Sequence, residues 1–61
     1  MSTPNFQDQV RNTVSNVTGT VIAKYAEDGV TYFDVRWATE DKVWYHTPAA
    51  NWETVKGYDD E

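Results

Sequence analysis

Cysteine is absent from the 61-residue chain, histidine occurs once, at His46, and the chain holds only two prolines and three glycines. Without thiols no disulfide can staple the fold, and one imidazole among scattered acids cannot assemble a Cys/His zinc site. Small domains often rely on one of those devices, so here the side chains alone must make the core, and no metal or cofactor is expected. Long apolar runs are missing too. Nothing approaches the roughly 20 apolar residues of a membrane-spanning helix, and Met1 to Asn5 is polar with no apolar stretch behind it, unlike a secretory signal. The expectation is a cytoplasmic protein with no membrane partner. Basic residues are scarce: five Lys and Arg face ten Asp and Glu, a net charge of −5. That balance opposes the phosphate neutralisation on which nucleic-acid affinity rests, whereas an acidic surface favours solubility.

Aromatic residues, by contrast, are plentiful, with three Trp, four Tyr and two Phe. Each large ring buries roughly 150–250 Å², so a few suffice for a small core. The run Thr18 to Tyr25 is rich in β-branched residues and is followed by Ala26-Glu27-Asp28-Gly29. Read as a three-residue hairpin loop with a glycine bulge, this bend sets Ala26 opposite Val30, Ala23 opposite Phe33 and Val21 opposite Val35. Val30 to Trp37 alternates: Phe33, Val35 and Trp37 point to the core, and Tyr32, Asp34 and Arg36 point to water. A third strand, Lys42 to Thr47, pairs back on it. If Ala38 faces Lys42, then Val43 and Tyr45 join the core and Trp44 and His46 lie outside; a four-residue loop reverses this. The first register is preferred because it keeps Val43 in and His46 out.

Pro48 to Asn51 cannot continue a central strand and suits a short 3₁₀ turn. Trp52 to Val55 then resumes an extended pattern, with Trp52 and Val55 inward, and Gly57 to Glu61 is an acidic tail. In the N-terminal third, Phe6, Val10, Val14 and Val17 recur at helical spacing, but valine, threonine and asparagine are poor helix formers. A strand from about Gln9 to Val14 with a loop at 15–17 is favoured; a helix from Pro4 capped by Thr3 is the alternative.

Asp8-Gln9-Val10-Arg11, Thr18-Gly19-Thr20-Val21-Ile22, Tyr32-Phe33-Asp34-Val35-Arg36-Trp37 and Asn51-Trp52-Glu53-Thr54-Val55 together resemble the successive strands of small SH3-like barrels of the KOW-like and Tudor-like kind. The resemblance implies an all-β fold: a five-stranded SH3-like barrel over 6–56, with a 3₁₀ turn before the last strand and flexible termini at 1–5 and 57–61. It departs from the pattern at Gln7, where many such barrels have glycine, and at the acidic tip Glu27-Asp28, where nucleic-acid-binding KOW-like loops are basic.

Little in the chain points to catalysis. Nucleophilic chemistry needs an activated Ser or Cys beside a base held by a third group, and Ser2 and Ser15 both lie in the weakly patterned N-terminal third. The acidic pairs Glu27-Asp28, Glu40-Asp41 and Asp59-Asp60-Glu61 fall on tips and a tail, not in a desolvating cleft. The richest constellation is the outer face of the second hairpin, where the preferred register sets Arg36 beside Trp44 and Asp34 beside His46, with Tyr32 alongside. Tyr, Trp and Arg are enriched at interface hot spots. A cation–π contact and an Asp–His pair would also satisfy such a surface by itself. The sequence therefore points to a non-enzymatic binding module with a protein partner, monomeric or weakly dimeric, contacting it through Tyr32, Asp34, Arg36, Trp44 and His46. The alternatives are a nucleic-acid-associated domain and an acidic mimic of nucleic acid.

Overall fold

The computed structural model describes residues 4–57. It holds five strands, β1 (Gln9–Asn12), β2 (Thr18–Glu27), β3 (Val30–Trp37), β4 (Val43–Pro48) and β5 (Trp52–Lys56), with a 3₁₀ turn at Ala49–Asn51. All pairings are antiparallel, and the sheet runs β4-β3-β2-β1-β5. Of the expected flexible termini, 1–3 and 58–61 lie outside the described residues; Pro4 is buried, and the Asn5 amide donates to Asp8 Oδ2 at 2.8 Å. Among the described residues no helix is long and apolar enough to cross a membrane.

The sheet curls around Val10, Val21, Phe33 and Val35, all with no accessible surface, and around Trp52. Backbone pairing does not close it into the expected barrel: β4 and β5 remain its two ends. Side chains bridge the gap instead, since Trp44 of β4 meets Trp52 of β5 edge to face at 5.7 Å between centroids. The Trp52 indole N–H donates to Thr47 Oγ1 at 2.9 Å, and the Thr47 hydroxyl donates to the Phe33 carbonyl at 2.6 Å, which satisfies the polar end of the buried ring. The curl also demands Gly19. A methyl group there would stand 2.3 Å from the Arg36 carbonyl oxygen and 2.7 Å from Val35 Cγ1.

Both hairpins correct the sequence reading. Asp28 and Gly29 have φ of 51° and 80°, and Glu27 pairs with Val30. This is a two-residue turn of the mirror-image type that Asp-Gly favours because it matches strand twist, not a three-residue loop. Lys24 therefore faces Phe33, and Ala23 faces Asp34. A bulge at Ile22 then absorbs the one-residue difference, and Val21 still meets Val35.

In the second hairpin the Trp37 N–H donates to the Lys42 carbonyl at 2.9 Å, Arg36 pairs with Val43, and Val35 pairs with Trp44. The preferred register, with Trp44 outside, is thus replaced by the four-residue loop. An indole turned inward buries far more apolar area than Val43 could. A second bulge, at Tyr45 and His46 opposite Asp34, brings Thr47 back opposite Phe33. Tyr45, expected in the core, is 71% exposed as a result.

The N-terminal third is a strand, as favoured, but it stops at Asn12. The buried Asn12 side chain accepts the amides of Val14 and Ser15 at 2.9 and 3.0 Å, and so turns the chain away from β5 before Val14, which stays exposed. Val55 was expected inward and is 59% exposed. The register shift that sets Val10 opposite Thr54 and Gln9 opposite Lys56 leaves it as the extra residue of a bulge.

Candidate functional site: a ring cluster on the outer face

The two-residue turn makes Tyr25 and Tyr32 direct cross-strand partners on the face turned away from the core, and their rings stack at 6.1 Å and 25°. The bulge in β4 supplies the third ring. With φ of 56°, His46 turns its side chain over the same face, where the imidazole stacks on Tyr32 at 4.0 Å and 16° and lies 5.8 Å from Tyr25.

Asp34 holds these parts together. Its Oδ1 accepts the His46 backbone amide at 2.8 Å and the Tyr25 hydroxyl at 2.9 Å. One carboxylate oxygen therefore fixes both the bulge and a ring. With the phenol proton committed to Asp34, the consistent arrangement has His46 Nδ1–H donating to the Tyr25 oxygen, 3.3 Å away. On the other side of the imidazole, Nε2 lies 3.5 Å from Glu27 Oε2. Partial burial, then the hydrogen bond to Asp34 and the nearby negative charge of Asp34 and Glu27, raise the Tyr25 phenol above its ordinary value of 10.0.

Tyr32, Asp34 and His46 are thus brought together, whereas Arg36 and Trp44 are not part of the cluster. Arg36 lies on the same face but toward the other end of β3, 3.8 Å from Asp41. Trp44 is on the opposite face, between Trp37 at 5.2 Å and Trp52 at 5.7 Å, and packs on the core. Its replacement by alanine would remove packing, not an exposed contact. Lys42 Nζ sits 5.1 Å above the Trp37 ring, a cation–π contact that partly covers that indole.

Sequence reasoning missed Tyr25 and Glu27. The signal was present in Asp28-Gly29, because a two-residue turn at that pair puts Tyr25 across from Tyr32 and leaves Glu27 beside the hairpin end. Chemically, the cluster offers flat aromatic faces, a phenol, an imidazole and two carboxylates, with no serine, threonine or cysteine among them. Ser15 lies in the β1–β2 connection, where its hydroxyl accepts the Val17 amide at 3.4 Å. Among the described residues no group of three or more His, Cys, Asp or Glu side chains is placed to hold a metal ion. Comparison with known proteins adds no relative: no family model, no curated protein and no solved structure matches the chain.

Proposed function

We propose that the protein is a small non-enzymatic binding module of SH3-like architecture that contacts a protein partner through the outer face of β2, β3 and β4. The SH3-like reading is supported by the strand order, by the 3₁₀ turn before the last strand and by the curl that brings Trp44 against Trp52. The observation that carries the functional reading is the prearranged stack of Tyr25, Tyr32 and His46, fixed through a single oxygen of Asp34. Aromatic rings held in place before contact lose little side-chain entropy on binding, which makes such clusters effective anchors. The revised contact set is Tyr25, Tyr32, Asp34 and His46, with Glu27 at its rim.

Affinity capture with the native chain, with Tyr32→Ser and with the distant surface variant Thr54→Ser tests this. Tyr32→Ser is expected to lose partners that the native chain and Thr54→Ser both retain, while all three fold alike by circular dichroism. Equal recovery by all three removes the outer face from the proposal.

A further inference from the structure

β4 is an end of the sheet, and among the described residues no strand pairs with its free side. Along an antiparallel ladder successive residues turn their N–H and C=O groups alternately to either side. The bond from Trp37 N–H to Lys42 C=O fixes the phase: residues 42, 44 and, past the bulge, 47 face β3. Val43 and Tyr45 therefore turn both backbone groups away from the sheet. Beyond them the edge is closed to pairing, because the His46 amide is taken by Asp34 and Pro48 has no N–H. The β5 edge offers less, since only Thr54 turns both groups outward and the Trp52 amide is bonded to the Ala49 carbonyl.

We infer that Val43-Trp44-Tyr45 pairs antiparallel with the same segment of a second copy, about a two-fold axis through Trp44. In that register Val43 faces the partner copy's Tyr45 and the reverse, and the two pairs exchange four backbone hydrogen bonds. An aromatic residue opposite a β-branched one is a favourable cross-strand pair, and the pairing covers Tyr45, the most exposed ring among the described residues. Closed two-fold symmetry is also the commonest way for identical chains to associate.

The self-complementary spacing of Val43 and Tyr45 selects a second copy as occupant, and charge selects the antiparallel sense. The hairpin tip carries Glu40 and Asp41, and the Asp41 side chain is fully exposed. Parallel pairing would set acidic tip beside acidic tip, whereas the antiparallel register separates the two tips and sets each beside the uncharged Thr47-Pro48 end of β4 in the other copy. The pairing joins the two sheets edge to edge, so both ring clusters look out from one continuous face. Three strand spacings separate β3 from its counterpart, about 14 Å. The consequence is a bivalent surface, independent of what the ring cluster itself binds. A three-residue contact per copy buries much less than the roughly 1,200–2,000 Å² of a stable complex, so the dimer forms at high micromolar to millimolar concentration. Because each chain carries −5, added salt should strengthen it.

Sedimentation equilibrium of the full chain across that range tests the inference. The native chain is expected to approach twice its monomer mass and to do so at lower concentration in high salt. Val43→Pro and Tyr45→Lys should each stay monomeric, and circular dichroism reports whether they fold; the lysine, at an exposed position, carries the test if the proline variant does not. Since the chain has no other thiol, mixing Val43→Cys with Tyr45→Cys under mild oxidation should yield the mixed cross-linked pair in excess over either self-pair. A native chain that stays monomeric throughout, association unchanged in Tyr45→Lys, or cross-linking without preference for the mixed pair would each overturn it. Loss of partner capture in Tyr32→Ser without change in self-association separates this inference from the binding proposal.

Discussion

Replacing Gly19 with alanine should weaken the fold more than the same replacement at Gly29. The new Cβ would lie 2.3 Å from the Arg36 carbonyl oxygen, where about 3.0 Å is the closest real approach, so some 0.7 Å must be found. The obstacle is backbone of the neighbouring strand, and Val35 Cγ1 at 2.7 Å blocks retreat toward the core. Overpacking of this kind costs about 1–3 kcal/mol and at times more. Relief of glycine's unfolded-state entropy returns about 0.5–1 kcal/mol. With the clash at the upper end, the net loss is about 2 kcal/mol, a large part of the roughly 3–9 kcal/mol that a 61-residue domain commands. Tryptophan fluorescence in urea reads it directly. At a slope near 1 kcal/mol per molar, the midpoint should fall by about 2 M. Gly29→Ala is the control: φ there is 80° and nothing lies within 4 Å, so only the torsional penalty of about 1–2 kcal/mol applies. A Gly19→Ala midpoint equal to the native one, or above that of Gly29→Ala, would refute the reasoning.

Asp34→Ala leaves the His46 amide and the Tyr25 hydroxyl without their shared acceptor; at this half-exposed site a loss of about 1–2 kcal/mol is expected, with the His46 amide resonance moving upfield, and an unmoved resonance contradicts the contact. The raised Tyr25 pKa makes stability pH-dependent on the alkaline side only. Below the ordinary value of 10.0 both states keep the phenol proton; above it the unfolded chain loses the proton first, so stability falls as pH climbs toward the folded value. Urea titrations around and above pH 10 should show a shallower decline for Tyr25→Phe than for the native chain, and parallel declines count against the Asp34 hydrogen bond. Gln7 has φ of 71° and an exposed side chain; Gln7→Gly should raise stability by about 0.5–1 kcal/mol, and a melting temperature that drops would show that the side chain is needed.

The strands were legible because alternation and turn chemistry agree along most of the chain. Val30 to Trp37 appears with the predicted limits, Phe33 and Val35 point inward as read, and the 3₁₀ turn falls where Pro48 ends the ladder. The errors have two physical origins, loop length and bulges. Alternation assumes one residue per step, and three bulges break that count: at Ile22, at Tyr45 and His46, and at Val55. A bulge leaves no strong mark on composition, so side chains beyond it were assigned to the wrong face. Trp44 and Tyr45 exchanged places between core and surface for the other reason: four residues, not three, join β3 to β4, and that moves every residue at the start of β4 by one step. The candidate site suffered less, because Tyr32, Asp34 and His46 stay on one face in either register; only the turn type decides whether Tyr25 joins them. Gln7 was legible in another sense. The resemblance placed glycine at this position, and its left-handed backbone gives the physical reason.

The bulges at Ile22 and at Tyr45-His46 flank β3 from both sides at the level of Asp34. Shortening a strand by one residue ordinarily throws every later side chain to the opposite face. At these two points it would not, since removing the surplus residue leaves each remaining cross-strand partner where it was. Homologous chains should therefore differ in length here more freely than elsewhere in the strands. What such a deletion would take away is the crease along which the sheet folds over its own core.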